Sequence, residues 1–502
     1  MHRLCGLILL ACCASSAATC VTPTVTTESM GQPNIVFILA DDLGYGDVQA
    51  LNPGSRIATP HIDRIAESGA SFVDAHTPSS VCTPTRYGLL TGRYCWRSRL
   101  KRGVLNGYSQ PLLEEGRPTV ASVLQEGGYQ TAIFGKWHLG LSWARAEDEI
   151  DFTQQVSGVP NENGFDTSFI IPASLDFPPY VFLRDGIVTA EVTSEQSGQS
   201  FPAFLRKGPI ADDLVMDDAL DRIISEANAW IREQVATEQP FFLYLPLTAP
   251  HKPVLPHARL RGARGLGDYA DFVVQVDAAV GEVLRTLDET GVANETMVIV
   301  TSDNGSFMYR IDDPAQSSHE LDLTVQGYHP EVHRANGLLR GTKADIWEAG
   351  HRVPFLVRWP GVVTAGQTRS ETICLTDFYA SCVDLVNAAT SELGGEDSFS
   401  LLPLLRAGDG DFARAPVIHH SANGMFAIRD AGWKLVAGNG SGGRQQPRGK
   451  PFAEPFQLFE LSLDLGERAD RIEDEPERAA AMAALLEEIR ASGSSRGFEK
   501  TR

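Results

Sequence analysis

Uninterrupted apolar runs constrain this chain more than any other feature. Asn34-Ile35-Val36-Phe37-Ile38-Leu39-Ala40 forms the first, and comparable runs recur at 131–134, 241–247, 297–301 and 353–357. A strand with one wet face alternates apolar and polar residues, whereas a run without alternation belongs to a strand buried on both faces. Between the runs, Leu220, Ile223, Ile224, Ala227 and Ile231 fall on one face at helical spacing, as do Phe272, Val276, Val283 and Leu287. Buried strands alternating with amphipathic helices predict an α/β fold, a large mostly parallel sheet sandwiched by helices. The pattern changes after a helical stretch at 377–388. A Gly- and Pro-rich region follows, with strand-like pieces at 416–419, 425–428, 434–436 and 457–460. A last helix at 475–491 carries Met482, Leu485, Leu486 and Ile489 on one face. This part predicts a small C-terminal α+β subdomain with an antiparallel sheet, and 438–450 reads as a mobile loop.

A chain of 502 residues holds two or more domains, or one large core with an appendage. The expected division is a signal peptide at 1–20, a linker at 21–32, a catalytic domain at 33–400 and a C-terminal subdomain at 401–495. Arg3, the apolar stretch 4–10 and the small residues that follow read as an export signal. Leu9-Leu10-Ala11-Cys12 offers lipoprotein processing, with Cys12 as a lipid anchor; Ala18 and Cys20 offer later cleavage. The protein is therefore expected outside the cytoplasm: periplasmic, secreted or lipid-anchored. The apolar run 4–14 falls far short of the ~20 residues that span a bilayer, so no transmembrane segment is expected. A net charge of −21, with no basic arm, argues against nucleic acid as a partner. Beyond residue 20 only Cys82, Cys95, Cys374 and Cys382 remain, too few for a disulfide framework.

In sheets of this kind ligands sit beyond the carboxyl ends of the strands. The first apolar run ends in Asp41-Asp42 and the fourth leads into Asp303-Asn304-Gly305. The second is followed by Gly135-Lys136-Trp137-His138 and the third by His251. Singly, each is an ordinary turn, cap or surface residue. Together, carboxylates and a carboxamide at strand ends supply hard oxygen ligands suited to Ca²⁺ or Mg²⁺. Another segment stands out: Ser80-Val81-Cys82-Thr83-Pro84-Thr85-Arg86, then Leu89-Leu90-Thr91-Gly92-Arg93. Pro84 suits the first turn of a helix, which places Cys82 at a helix N-terminus with Arg86 one turn on. A buried structural cysteine would have the same local pattern.

Cys82-Thr83-Pro84-Thr85-Arg86 with Leu89-Leu90-Thr91-Gly92 resembles the C-x-P-x-R signature of the type I sulfatases, of the alkaline phosphatase superfamily, whose cysteine is oxidised to formylglycine. Ile38-Leu39-Ala40-Asp41-Asp42-Leu43-Gly44 resembles the family's opening strand. Gly135-Lys136-Trp137-His138 resembles its second signature, with Phe134 where a smaller aliphatic residue is commoner. Leu339-Arg340-Gly341-Thr342-Lys343 and Trp347-Glu348-Ala349-Gly350-His351-Arg352-Val353-Pro354 resemble its lysine loop, with Thr342 and Ala349 in place of frequent glycines. Leu458-Phe459-Glu460-Leu461 resembles its closing strand. The similarity runs from about residue 33 to 490.

The resemblance implies an alkaline-phosphatase-like fold and a sulfuric ester hydrolase. Asp41, Asp42, Asp303 and Asn304 match calcium ligands, completed by a formylglycine oxygen at position 82. Arg86, Lys136, His138, His251 and Lys343 match residues that hold the sulfate and handle protons, and Ser174 matches a serine that touches it. In the family's scheme the hydrated aldehyde attacks sulfur and His251, helped by Lys343, protonates the departing alcohol. His138 then deprotonates the second hydroxyl, so that sulfate leaves and the aldehyde returns. A formylglycine-generating or equivalent maturation enzyme is an implied partner. A sulfated carbohydrate is the expected substrate, ahead of a steroid or lipid sulfate. Two alternatives stand beside it: a phosphate or phosphonate ester hydrolase of the same superfamily, and a non-catalytic sulfated-glycan binding protein with unconverted Cys82. The basic run Arg93, Arg97, Arg99, Lys101, Arg102 lines a channel for a polyanionic saccharide or is solvated surface. The stretch 319–334 reads as a loop over the cleft or a plain surface loop, and Ser174-Leu175-Asp176-Phe177-Pro178-Pro179-Tyr180 as shaping the pocket entrance. Cys82→Ala and Cys82→Ser are both expected to lose nearly all turnover, read as released sulfate; wild-type-like release would remove Cys82 from the chemistry.

Overall fold

The computed structural model describes residues 32–388, 394–406 and 412–501. The expected signal peptide, and all of the expected linker except Gln32, lie outside these residues. The described chain builds a ten-stranded sheet. In chain order its strands are β1 (Asn34–Asp41), β2 (Ala70–Phe72), β3 (Gln130–Lys136), β4 (Thr167–Ile171), β5 (Leu183–Arg184), β6 (Ile187–Val188), β7 (Phe241–Pro250), β8 (Thr296–Ser302), β9 (Phe355–Arg358) and β10 (Gln367–Arg369). Across the sheet they lie in the order β10-β2-β9-β8-β1-β7-β3-β4-β5-β6. The central five, β8-β1-β7-β3-β4, are parallel. β9, the strand containing the fifth apolar run, is antiparallel to both neighbours, so the sheet is mixed at its margins.

β1 shows why the apolar runs lack alternation. Ile35, Phe37 and Leu39 enter one core and Val36, Ile38 and Ala40 the other, because successive side chains point to opposite faces. The first face is covered by α1 (Cys82–Thr91), α2 (Val120–Glu126) and α3 (Asp377–Leu385). There the Phe37 and Phe378 rings lie 4.6 Å apart. On the opposite face Ile223, Ala227 and Ile231 of the Ala219–Val235 helix pack with Val276, Val283 and Leu287 of the Asp268–Glu289 helix.

A four-stranded antiparallel sheet follows, Val417–His420, Phe426–Asp430, Trp433–Ala437 and Gln457–Glu460 in consecutive order. Both its faces are buried. Ile428, Leu435 and Leu458 pack on Met482, Leu486 and Ile489 of the last helix, Pro476–Ser492. Ala427, Val436 and Phe459 pack on Ile346 and Trp347, just beyond Lys343. The stretch 438–450, expected to be mobile, is tied down instead. Its backbone pairs internally, Asp345 accepts from the Arg444 and Gln445 N–H groups at 2.6 and 3.1 Å, and Arg444 Nη1 reaches the Phe307 carbonyl. The stretch 319–334 is likewise no plain surface loop, since His319, Tyr328 and His333 are buried and His333 Nε2 meets Asp47 at 2.8 Å.

A buried polar seam joins the two sheets. Lys434 Nζ meets Glu467 at 2.9 Å, Glu348 at 3.2 Å and His351 Nε2 at 3.0 Å. Asp74 pairs with Arg352 and Arg429, both at 3.0 Å. The His351 and His419 rings stack 3.7 Å apart, and His76 Nδ1 lies 3.1 Å from His351 Nδ1. Burial, then the nearby Arg429, lowers the His76 pKa to about 4, against an opposing pull from Asp74. Burial, then neighbouring imidazoles and Lys434, also drives His351 and His419 well below the ordinary range. These rings fold neutral and are protonated in the unfolded chain between about pH 6.5 and 4, so stability falls as pH drops through that window. His76 alone is expected to remove about 3 kcal/mol. Thermal melts should show a steadily falling Tm from pH 6.5 to 4.5; a flat Tm would mean these histidines fold charged.

Candidate active site

The parallel strands end on one edge of the sheet, and the sequence-singled residues meet there. β1 ends in Asp41, and Asp42 turns the chain with φ +68°, a conformation rare outside glycine. Its backbone N–H donates to Asp303 Oδ1 at 3.2 Å. Asp303 and Asn304 follow β8, and Gly305 is required there because a Cβ would lie 1.7 Å from the Ala349 carbonyl oxygen. That close approach brings the segment beyond the lysine loop against the strand end. Cys82 is the first residue of α1 and Pro84 lies in its first turn, where a missing N–H leaves no bond unmade.

The centre is a buried set of matched charges. Arg86 donates Nε and Nη2 to Asp303 Oδ2 at 3.1 and 2.7 Å, and Nη1 to the Lys136 carbonyl at 2.9 Å. Lys136 Nζ meets Asp41 Oδ2 at 2.7 Å. Lys343 Nζ meets Asp42 Oδ1 at 2.6 Å and Cys82 Sγ at 3.1 Å. Asn304 Nδ2 donates to Asp42 Oδ1 at 2.6 Å, while its buried Oδ1 has no hydrogen-bond partner among the described residues. Burial opposes ionisation of Asp41, but Lys136, Arg86 and Lys343 outweigh it and hold the carboxyl below its ordinary range. Asp42 goes the other way. Burial, reinforced by Asp41 and Asp303 against the pull of Lys343, raises it to about 6. Burial, then Asp303, pushes the Cys82 thiol up to about 12, which disfavours the thiolate.

Two histidines flank the cluster with defined tautomers. A carbonyl only accepts, so His138 donates Nε2–H to Leu105 O at 2.8 Å and keeps its lone pair on the buried, unpartnered Nδ1. His138 also sits at φ +59°. His251 donates Nδ1–H to Lys252 O at 2.5 Å, which leaves the lone pair on Nε2, 3.7 Å from Asp42 Oδ2. Burial, then the neighbouring lysines, holds both rings well below the ordinary histidine range, with Arg86 adding to the effect at His138. Asp41, Asp42, Cys82 and His251 bring potential ligand atoms within 4.8 Å of one another.

A buried cysteine ringed by three carboxylates, three cations and two histidines at the sheet's carboxyl edge is one half of the identification. The other half is sequence likeness, since residues 33–388 match the family described as Sulfatase. The chain belongs to the sulfatase family. It is a sulfuric ester hydrolase. This sulfatase is 31% identical to an N-acetylgalactosamine-6-O-sulfatase of Bacteroides thetaiotaomicron, over 92% of this chain and 94% of that one. It is 33% identical to the steryl-sulfatase of Rattus norvegicus, over 74% and 70% respectively. A solved structure described under glycosaminoglycan metabolism by Bacteroides thetaiotaomicron superposes with a TM-score of 0.79 at 30% identity, covering 92% of this chain and 99% of that one. The phosphonate monoester hydrolase of Agrobacterium radiobacter shares the fold at 17% identity and a TM-score of 0.58, covering 94% of this sulfatase and 99% of that chain.

Ser174 is the singled-out residue that the sulfatase does not join to the cluster directly. It is buried in the loop after β4, and among the described residues its side chain makes no hydrogen bond to the central charges. Asp176, in the same loop, was read in the sequence only as part of the stretch 174–180 at the pocket entrance, with no role of its own. Its Oδ1 lies 4.0 Å from His251 Nδ1, and its Oδ2 pairs with Arg206 at 2.5 Å. The strand-end rule could have found it had Thr167–Ile171 been read as a strand. Arg86→Met should destabilise the fold by about 3–5 kcal/mol in denaturant titration, because it leaves the Asp303 carboxylate buried without its guanidinium. A change within 1 kcal/mol would mean that water or a bound cation replaces that partner.

Proposed function

We propose that this sulfatase removes sulfate from a sulfated carbohydrate, with Cys82 converted to formylglycine and a calcium ion held by Asp41, Asp42, Asp303 and Asn304. The carbohydrate reading is carried by one observation: the match to an N-acetylgalactosamine-6-O-sulfatase spans nearly all of both chains, whereas the match to a steryl-sulfatase covers 70% of that relative. The donor set fits a hard divalent cation. Three buried carboxylates crowd one strand edge, and Asn304 Oδ1 is left with nothing to accept from. Bound there, calcium would act as a Lewis acid on a sulfate oxygen, and formylglycine would supply a hydrated aldehyde as nucleophile.

The chain's own groups do the rest. Arg86 and Lys136 orient Asp303 and Asp41 and set positive charge behind the ester. Lys343 Nζ, beside position 82 and Asp42, places a cation against the developing charge. His138 Nδ1, with its lone pair free, is the base that takes the proton from position 82. His251 Nε2 is the acid that returns one to the leaving oxygen, and an anionic substrate favours its protonated form. Ser174 and Asp176 shape the side of the pocket nearest His251. We read residues 1–20 as an export signal, and among the described residues no helix is long and apolar enough to cross a membrane.

The test is sulfate release by calcium-loaded protein produced with a maturation enzyme. The panel is 6-sulfated N-acetylgalactosamine, a sulfated polysaccharide, a steroid sulfate, an aryl sulfate and an aryl phosphate, with Cys82→Ala as control. Sulfate is expected from a saccharide, absent from the control and reduced at least 100-fold after chelation. Turnover of the phosphate alone would mean the ester has been misread.

A further inference from the structure

The basic run in the sequence has a second half to its story. Arg93, Arg97, Lys101, Arg102 and Arg490 line a cavity of about 580 Å³ together with Trp96, and among the described residues no acidic residue lines it. Such a cavity is unexpected in a chain of net charge −21. Part of the charge is structural. Arg97 meets Asp397 at 2.9 Å, Arg93 meets Glu114 and Glu396 at 3.1 and 3.2 Å, and Arg490 meets Glu487 at 2.5 Å. Lys101 and Arg102 differ. Lys101 Nζ donates to the Trp96 carbonyl at 2.7 Å, Arg102 is exposed, and among the described residues neither meets a carboxylate. Trp96 is 6% exposed, and among the described residues its indole N–H has no hydrogen-bond partner. A cavity walled by cations, two of which meet no carboxylate among the described residues, is the complement of an oxyanion.

The cavity is built from the same loops as the candidate active site. Gly103, next to Arg102, donates its N–H to Ala422 O at 2.9 Å, and Ala422 N–H donates to Ala344 O at 3.1 Å, beside Lys343. Leu105, three residues after Arg102, holds His138 through its carbonyl. Asn423 and Gly424 of the second loop line the cavity as well. Resting on the proposed carbohydrate reading, we propose that this cavity binds a second anionic group, a sulfate or a uronate carboxylate, on the saccharide chain whose ester is cleaved at the Cys82 site. Substrates carrying several charges would then be preferred over singly charged ones, and the preference would weaken with salt.

The test is the double substitution Lys101→Glu, Arg102→Glu, at solvent-facing positions away from the reactive cluster. Its substrates are a hexasaccharide of alternating uronate and 6-sulfated N-acetylgalactosamine, and the 6-sulfated monosaccharide. The expected result is at least a tenfold loss of kcat/KM on the hexasaccharide, carried by KM, with the monosaccharide unchanged within twofold. Equal losses on both, or none on either, would overturn the proposal. Calorimetric binding of the hexasaccharide to Cys82→Ala protein, with and without the double substitution, needs no turnover. If no saccharide sulfate is ever released, the function reading fails and the cavity is judged by binding alone. Tenfold weaker binding after substitution then supports it, and equal binding overturns it.

Discussion

Buried charge must be balanced, and the carboxyl edge of this sheet is organised by that requirement. Asp41, Asp42 and Asp303 are held almost entirely out of water, where an isolated carboxylate would not stay ionised. Arg86, Lys136 and Lys343 supply three opposing charges from a helix, a strand and a loop. Each element is therefore placed by an electrostatic partner as well as by its apolar face. The balance also has a chemical reading. Three carboxylates against three cations leave no net charge, so a divalent ion would add two positive charges, the complement of the sulfate dianion that hydrolysis releases.

The C-terminal sheet belongs to this arrangement rather than beside it. One face is closed by the last helix and the other rests on Ile346 and Trp347, so the segment after Lys343 is clamped between layers. Glu467 reinforces the clamp by accepting from the Glu348 N–H at 2.6 Å and pairing with Lys434. Asp345 does the same from within the loop through the Thr342, Arg444 and Gln445 N–H groups. Lys343 reaches Asp42 from a backbone fixed on both sides.

Much of the parallel sheet was legible because burial on both faces leaves a plain mark, a run without alternation. The meeting of Asp41, Asp42, Lys136, His251, Asp303 and Asn304 was legible for the same reason, since each follows such a run. What stayed hidden depends on contacts far apart in sequence. Nothing near Lys434 announces Glu348 as its partner, 86 residues away. Asp176 was obscured because β4 is only five residues long and its run is short. The basic run read as one feature, yet Arg97 is committed to a buried Asp397 while Arg102 faces solvent, a distinction set by residues 300 positions on.

The placement of Cys82 bears on how its sulfur is reached. Cys82 is 2% exposed, its sulfur lies 3.1 Å from Lys343 Nζ, and residues 441–467 pack on the loop that carries that lysine. Access to the Cys82 sulfur is thus governed by how firmly residues 441–467 hold the loop that carries Lys343.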